Sequence, residues 1–329
     1  MKSILYFSNN LSSELHSGYS IVTYEQLKIL SLENKVTLIN FYTSFAYTTE
    51  LDIEVINIKS SFDIWDRLSL PHSLPINYKE FQYVVFNSPE QVQYISKFKS
   101  IKKIYLVNNS QYQKSRNTGL NINNLEEKMC KLADINLFLS NNDFIYFKSL
   151  GLVRKDDEII TPFINHNQVK KHDRIPKTIL ITTNFEAEYN KESLRWFLEE
   201  VYPLLPTDIR ISISGKGDFD RISKEYKNIK FLSFVTRDEL INLYNTNKLY
   251  INPTIHGSGI QIKMLEALSY GIQVVSTNYS NIFPNVIPSS DNPEKLANLI
   301  VANLDSKSSF NFQHFNSINS SRFLKLFAH

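Results

Sequence analysis

Cysteine is nearly missing from this chain of 329 residues, which holds only Cys130. One thiol cannot close an internal disulfide, so the fold must be held by its core, and a reducing cytoplasmic compartment is the expected setting. No group of Cys and His has zinc-ligand spacing, and no metal is expected in the site. Also missing is any run of about 18 apolar residues, the length that a membrane-spanning helix needs. The opening "MKSILYFSNN" soon turns polar and lacks a small-residue cleavage site, so a first β-strand is expected there and not a signal peptide. Charge of one sign is not gathered in one block. The 36 Lys and Arg against 33 Asp and Glu leave a net +3 spread over both halves, which argues against nucleic acid, whose phosphates select a dense basic face. Repeats and low-complexity segments are absent.

What is present is a rhythm. Short apolar, β-branched runs alternate with helical patterns, the signature of parallel α/β units. In the first half, strands are expected at 3–8, 35–42, 52–58, 81–86, 103–109, 135–140 and 158–163, with helices near 20–33, 89–98, 124–134 and 141–150. The polar, basic, proline-containing "NHNQVKKHDRIPK" then breaks the pattern and has the character of a linker. Five more strands follow: "TILITT", "RISISG", "IKFLSF", "KLYINP" and "IQVVST". Length alone suggests about two domains. The expected division is a Rossmann-like domain at 1–165, a linker at 166–177, a second Rossmann-like domain at 178–305, and a tail at 306–329 that could pack back on the first. Long polar insertions at 59–79 and 110–122 are candidates for acceptor binding.

One stretch concentrates chemistry. In "GSGIQIKMLEALSYG", from Gly257 to Gly271, glycines stand between the carboxyl end of a strand and the amino end of a helix starting near Ile260. Free backbone N–H groups and the helix dipole at such a junction favour an anion such as a diphosphate. Gly257 and Gly259 let the backbone approach it closely. On the helix, Ile260, Met264, Ala267 and Leu268 form the expected core stripe, and Lys263, Glu266 and Tyr270 share another face. Lys263 would suit a phosphate charge, and Glu266 could accept two hydrogen bonds from a vicinal diol such as ribose. Gly271 would end the helix in the left-handed conformation. The plainer alternative is that Lys263 and Glu266 form a solvated pair one turn apart.

The surroundings favour the first reading, because this stretch resembles the nucleotide-sugar motif of glycosyltransferase family 4, nearest to exopolysaccharide-type sugar transferases. The likeness extends to "NFEAEYNKESLRWFLEEVYPLL", "SISGKGDFDRI" and "IKFLSFVTRDELINLYNTNKLYINP" in the second half. In the first half it includes "LEEKMCKLADINLFLSNNDFIYFKSLG" and "HSGYSIVTYEQLKIL". The resemblance implies a GT-B fold, two doubly wound α/β domains facing across a cleft, and sugar transfer from a nucleotide-sugar donor, UDP- or GDP-linked, to a glycan or lipid-linked glycan. It implies retention of configuration and a role in cell-surface polysaccharide synthesis. By the same resemblance Glu266 would hold the ribose, and Lys263 with the amides of Gly259 and Ile260, beside Gly257 and Ser258, would hold the diphosphate. Gly215, Gly217, Phe234 and Val235 would border the base, and Gly18 would let the first domain approach the phosphates. Two positions depart from the pattern. His256 stands before Gly257 where many members have Glu, and "TTNFEAEYNKES" offers Asn184, Asn190 and Lys191 in place of the usual Arg and Lys.

Other features have competing explanations. "DFD" at Asp218–Asp220 has the form of a metal-binding motif, but N-capping of the following helix explains it better. His16, in the first loop, could be a base or a phosphate contact, or an ordinary surface residue. His256, beside the anion site, is the stronger candidate among the histidines. The lysines of "KFKSIKKIYL" around Phe98 and Ile101 could rest on an anionic membrane at the inner face of the cell, or form a solvated helix end. Against the transferase stand a non-catalytic GT-B subunit supporting a partner enzyme, motivated by His256, and a nucleotide-sugar epimerase.

Overall fold

The computed structural model describes residues 1–14, 17–62, 68–108, 123–164, 173–256 and 260–328. The chain forms two compact units, one from Met1–Phe163 and the chain from Asn316 on, the other from most of the chain between Ile164 and Phe315.

The strands of the first unit are β1 (Ser3–Asn9), β2 (Lys35–Tyr42), β3 (Glu54–Lys59), β6 (Tyr83–Phe86), β7 (Lys102–Val107), β8 (Ile135–Phe138) and β9 (Glu158–Ile159). They form a parallel sheet in the order β3-β2-β1-β6-β7-β8-β9. The helices are α1 (Gly18–Ser31), α2 (Val92–Ile95), α3 (Asn123–Leu132) and α4 (Asn141–Ser149). Both faces of the sheet are covered, which is why its central strands are apolar throughout. Alternate residues enter opposite cores: Leu5, Phe7, Val84 and Phe86 pack on one side, Ile4, Tyr6, Tyr83 and Val85 on the other. The second core is closed by the end of the C-terminal helix, where Phe323 meets Phe163 at 5.6 Å and Phe327 meets Tyr83 at 5.3 Å.

The insertion expected to be a polar loop at 59–79 carries a small antiparallel ladder, β4 (Ser61–Phe62) with β5 (Leu68–Ser69). Its far end is anchored by buried Leu70 and Leu74 and by Tyr94, whose hydroxyl donates to the carbonyl of Pro71. Residues 63–67 and the second insertion, 110–122, lie outside the described residues. The lysine-rich stretch does not present an apolar face. Phe98 and Ile101 are in the core, Lys97 lies over the rings of Tyr78 and Tyr94, and Lys103 pairs with Asp134 at 2.8 Å. The apolar residues needed for a membrane contact are therefore spent on packing.

In the second unit β10 (Thr178–Thr182), β11 (Arg210–Ser214), β12 (Ile229–Leu232), β13 (Leu249–Asn252) and β14 (Gln273–Ser276) form a parallel sheet ordered β12-β11-β10-β13-β14. Its helices are α5 (Glu188–Trp196), α6 (Asp220–Glu225), α7 (Arg237–Thr246), α8 (Ile262–Ser269) and α9 (Pro293–Asn303). The last helix of the chain, α10, runs Phe312–Lys325. Of the expected linker, residues 166–172 lie outside the described residues, and the remainder is fixed to this unit. Arg174 donates to the carbonyls of Tyr244 and Asn245, of Asn247 at 2.8 Å and of Tyr270 at 2.7 Å, and the Ile175 amide donates to Thr246. One half-buried guanidinium thus satisfies carbonyls left open at the ends of α7 and α8.

Candidate functional site

In the second sheet the chain leaves β10 toward β11 and leaves β13 toward β14, on opposite sides. The loops after β10 and β13 therefore diverge at the carboxyl edge, the place where doubly wound sheets bind ligands. Glu192 of α5 and His256 of the β13 loop join these two segments, with Oε2 and Nε2 2.6 Å apart and both side chains about half exposed. The Ile255 amide adds a bond to the Ser193 hydroxyl at 3.3 Å. The place taken by His256 is thus tied to an acidic partner on α5, a pairing that the sequence did not suggest.

Gly215 and Gly217 follow β11 with φ of +154° and +125°. Pairing continues beyond the strand ends, the Thr183 amide donating to Ser214 at 2.9 Å and the Phe185 amide to Lys216 at 2.6 Å. A methyl at Gly215 would lie 1.6 Å from the Thr183 carbonyl oxygen, and one at Gly217 would lie 2.8 Å from Phe185 Cβ. Close approach of two backbone segments thus accounts for both glycines. Asn184 is exposed, its side chain accepting from the Glu186 amide at 3.1 Å, and Lys191 pairs with Glu188 at 3.1 Å. Asp218 accepts from the Asp220 amide at 2.8 Å, a turn at the entry to α6. Among the described residues no three His, Cys, Asp or Glu side chains converge as metal ligands.

Helix α8 departs from its expected faces. It begins at Ile262, with Gln261 as its N-cap, so Ile260 precedes the helix and is only half-buried. Leu265 joins Met264, Ala267 and Leu268 in the core instead. Tyr270, expected to share a face with Lys263 and Glu266 apart from the core stripe, is buried and stacks on Tyr244 at 5.3 Å with 8° between the rings. Glu266 is buried as well, at 4% exposure, which removes the alternative of a solvated Lys263–Glu266 pair. Gly271 takes φ +66° and its amide caps Leu268 at 2.9 Å, ending the helix in the left-handed conformation.

A carboxylate at that depth needs compensation. Arg237, the first residue of α7, supplies it: its Nη1 bonds to Glu266 Oε1, while the Tyr244 hydroxyl donates to Oε2 at 3.4 Å. Arg237 is positioned by the start of its helix, where Thr236 and Glu239 make reciprocal capping bonds. Burial drives the hydroxyls of Tyr244 and Tyr250 upward, and that of Tyr270 up to about 12, so all three remain donors at neutral pH. Lys263 is half-buried one turn before Glu266, and burial pushes its ammonium down to about 8, Glu266 offsetting only part of that. A cation held in reserve in this way gains most when an anion arrives.

The remaining expected residues are placed as follows. Phe234 is 57% exposed and Val235 half-buried, between β12 and α7. Gly18 opens α1, capped by the Ser17 hydroxyl. His16, Gly257, Ser258 and Gly259 lie outside the described residues. The first sheet has its own divergence, between β1 and β6, and sequence reasoning missed what fills it. The Tyr19 hydroxyl accepts from the Asn9 amide at 3.0 Å and donates to Asn87 at 2.8 Å, Gln91 donates to Asn9 at 2.9 Å, and Asn108 donates to the Asn87 carbonyl at 2.8 Å. The available signal was an asparagine at the carboxyl end of β1, β6 and β7 alike.

With this geometry in hand the likeness to known proteins has a physical counterpart. Residues 176–308 match the family described as Glycosyl transferases group 1. The chain is 28% identical over 129 residues to an uncharacterized 44.6 kDa protein in the cps region of Klebsiella pneumoniae, covering 36% of this chain and 33% of that protein. It is 28% identical over 148 residues to the serotype-specific mannosyltransferase WbdA of Escherichia coli, covering 41% of this chain and 18% of WbdA. The matched stretches thus span about a third or less of those curated relatives. Among solved structures, a sucrose-phosphate synthase from Thermosynechococcus elongatus superposes with a TM-score of 0.72 at 12% identity, covering 99% of this chain and 98% of the other. Anabaena Alr3699/HepE in complex with UDP-glucose gives 0.64 at 14% identity, with 98% and 96% covered. At such identities the likeness is one of fold, and the fold is GT-B.

Proposed function

Residues 176–308 form a domain of the group 1 glycosyltransferase family within a GT-B fold, and from that premise we propose that the protein transfers a sugar from a nucleotide-sugar donor to a glycan or lipid-linked glycan in cell-surface polysaccharide synthesis. The observation that carries this reading is the charge arrangement on α8. A lysine whose ammonium is destabilised by burial stands one turn from a buried carboxylate paired with Arg237, at the carboxyl edge of the sheet where its strand order diverges. Glu266 accepts from the ribose hydroxyls. Lys263 binds the diphosphate and stabilises it as it leaves, aided by the amides of Gly259 and Ile260 next to Gly257 and Ser258, and positioned charge on the leaving group supplies much of the rate. His256 donates to a phosphate or a sugar hydroxyl. Phe234, Val235, Gly215 and Gly217 border the base, Asn184 and Lys191 lie on the β10 side, and Gly18 and His16 belong to the acceptor-bearing unit. The uncharged lattice of Asn9, Tyr19, Asn87 and Gln91 there suits sugar hydroxyls better than a charged partner.

With retention, the donor phosphate helps to deprotonate the attacking hydroxyl, so no separate carboxylate base is required. The donor is a UDP- or GDP-sugar, and mannosyl transfer by WbdA supports a hexose. Among the described residues no helix is long and apolar enough to cross a membrane.

Titration calorimetry with UDP, GDP, ADP and CMP tests the donor site: one nucleotide should bind selectively and lose affinity in Glu266→Ala. Full transfer activity in both Glu266→Ala and Lys263→Ala would refute the assignment. The replacement of the usual glutamate by His256 favours a second reading, a non-catalytic subunit. Slow hydrolysis of the donor by the purified protein would exclude it, and failure to bind any nucleotide would support it.

A further inference from the structure

Arg237 was given no role from the sequence, yet it contacts Glu266 directly. Glu266 is 4% exposed and lies among the buried Met264, Leu265, Ala267 and Leu268 of its own helix. Its Oε1 is bonded by Arg237 Nη1 and its Oε2 by the Tyr244 hydroxyl at 3.4 Å. Arg237 in turn bonds the side chain of Tyr270, which stacks on Tyr244 at 5.3 Å. The Tyr250 hydroxyl lies 2.9 Å from the Thr182 hydroxyl, and its ring is 5.9 Å from that of Tyr244. The carboxylate is thus clamped between α7 and α8 over a floor of three tyrosines.

We propose that Arg237 is a positioning residue for the donor: it fixes the plane of the Glu266 carboxylate so that the free lone pairs accept from both hydroxyls of a vicinal diol. The proposal rests on the reading of Glu266 as the ribose contact. Without the guanidinium the carboxylate loses the contact that sets its plane, rotates, and stops being a two-site acceptor. Lys263 cannot substitute, because it lies one turn earlier on the same helix and is needed for the phosphates. The clamp would make discrimination between ribose and deoxyribose depend on a residue that does not itself touch the sugar.

The test measures dissociation constants for the nucleoside diphosphate that binds the wild-type protein, UDP or GDP, and for its 2′-deoxy and 3′-deoxy forms. Hydrogen bonds to a charged acceptor predict that wild type prefers the ribonucleotide by about 10- to 100-fold. In Arg237→Gln that preference should fall to within about threefold, with Arg237→Lys retaining much of it and Tyr244→Phe losing part. A preference unchanged in Arg237→Gln, with affinity lowered equally for all three ligands, would show only a general structural contribution and overturn the proposal, and an increased preference would overturn it as well. Should Arg237→Gln fail to fold, Arg237→Lys and Tyr244→Phe decide by the same ratio. Glu266→Gln separates the two levels. If wild type shows no preference, if it binds neither nucleotide, or if Glu266→Gln keeps the full preference, then the ribose reading of Glu266 fails and the clamp with it.

Discussion

Replacing Lys263 by methionine should abolish a proton that is taken up when a nucleoside diphosphate binds. In the free protein, burial holds the Lys263 ammonium down to about 8. A diphosphate beside it reverses that balance, because an opposite charge within a few ångströms favours the charged form. At pH 8 about half of the molecules then bind one proton with the ligand, at pH 9 about 0.9 and at pH 7 about 0.1. The terminal phosphate, which ionises near pH 6, contributes little in this range. Affinity should accordingly fall about tenfold between pH 9 and pH 10. Calorimetry at pH 8 in Tris and in HEPES, buffers of different ionisation enthalpy, reads the uptake directly as a difference between apparent enthalpies. Equal enthalpies in the two buffers for the wild-type protein would refute the assignment. An uptake that persisted in Lys263→Met would move the titrating group elsewhere.

The same shift has a consequence for stability, with a definite sign. Because the folded value lies below the ordinary lysine value, the unfolded chain holds more protons than the native state between pH 8 and about 10.5, and stability rises with pH across that window. Below pH 8 the native protein carries a cation that burial disfavours by at most roughly 3 kcal/mol. Lys263→Met should therefore be more stable than wild type at pH 7, and the advantage should shrink as the pH passes 8.

Gly215→Ala should lose about 3 kcal/mol or more by urea denaturation, because its methyl would press into the Thr183 carbonyl, whereas Gly151→Ala, at φ +70° with open space around it, should lose only about 1 kcal/mol. Equal losses at the two positions would show that strain, and not the close approach of backbones, accounts for Gly215. Arg174→Met should lower the melting temperature of the second unit by an amount equivalent to about 3 kcal/mol, since it strips donors from the carbonyls that end two helices; a change under about 1 kcal/mol would show that water replaces the guanidinium. His256→Ala should change stability by less than about 0.5 kcal/mol, as its partner Glu192 is half exposed, while transfer activity falls at least about tenfold; full activity would remove His256 from the site.

The β-strands were legible because a buried parallel strand is rich in apolar and β-branched residues, as "KVTLINFY", "TILITT" and "IQVVST" each are. The helix at 262–269 was legible in position but not in its faces. An amphipathic pattern presupposes one wet side, and here Glu266 and Tyr270 are buried along with the apolar stripe. Nothing in the local spacing distinguishes a glutamate aimed at solvent from one aimed at an arginine of a neighbouring helix.

That limit decides which site residues could be found. Lys263 and Glu266 stand in a glycine-flanked strand-to-helix junction, so their chemistry is visible within one short window. Arg237, 29 positions earlier in the chain, lies in "VTRDEL", where the capping pattern explains every residue except the arginine. Arg174 sits in a stretch whose polar composition belongs to a solvated linker, although its bonds reach 70 to 96 positions along the chain. Each of these charges acquires its meaning only from a partner that the fold delivers. The buried carboxylate is nonetheless a usable signal once the fold is assigned. Helix α8 packs its neighbours into the core on both sides of Glu266, so a cation must come from an adjacent element. In the sheet order found here, α7, which leads directly into β13, is placed to provide it.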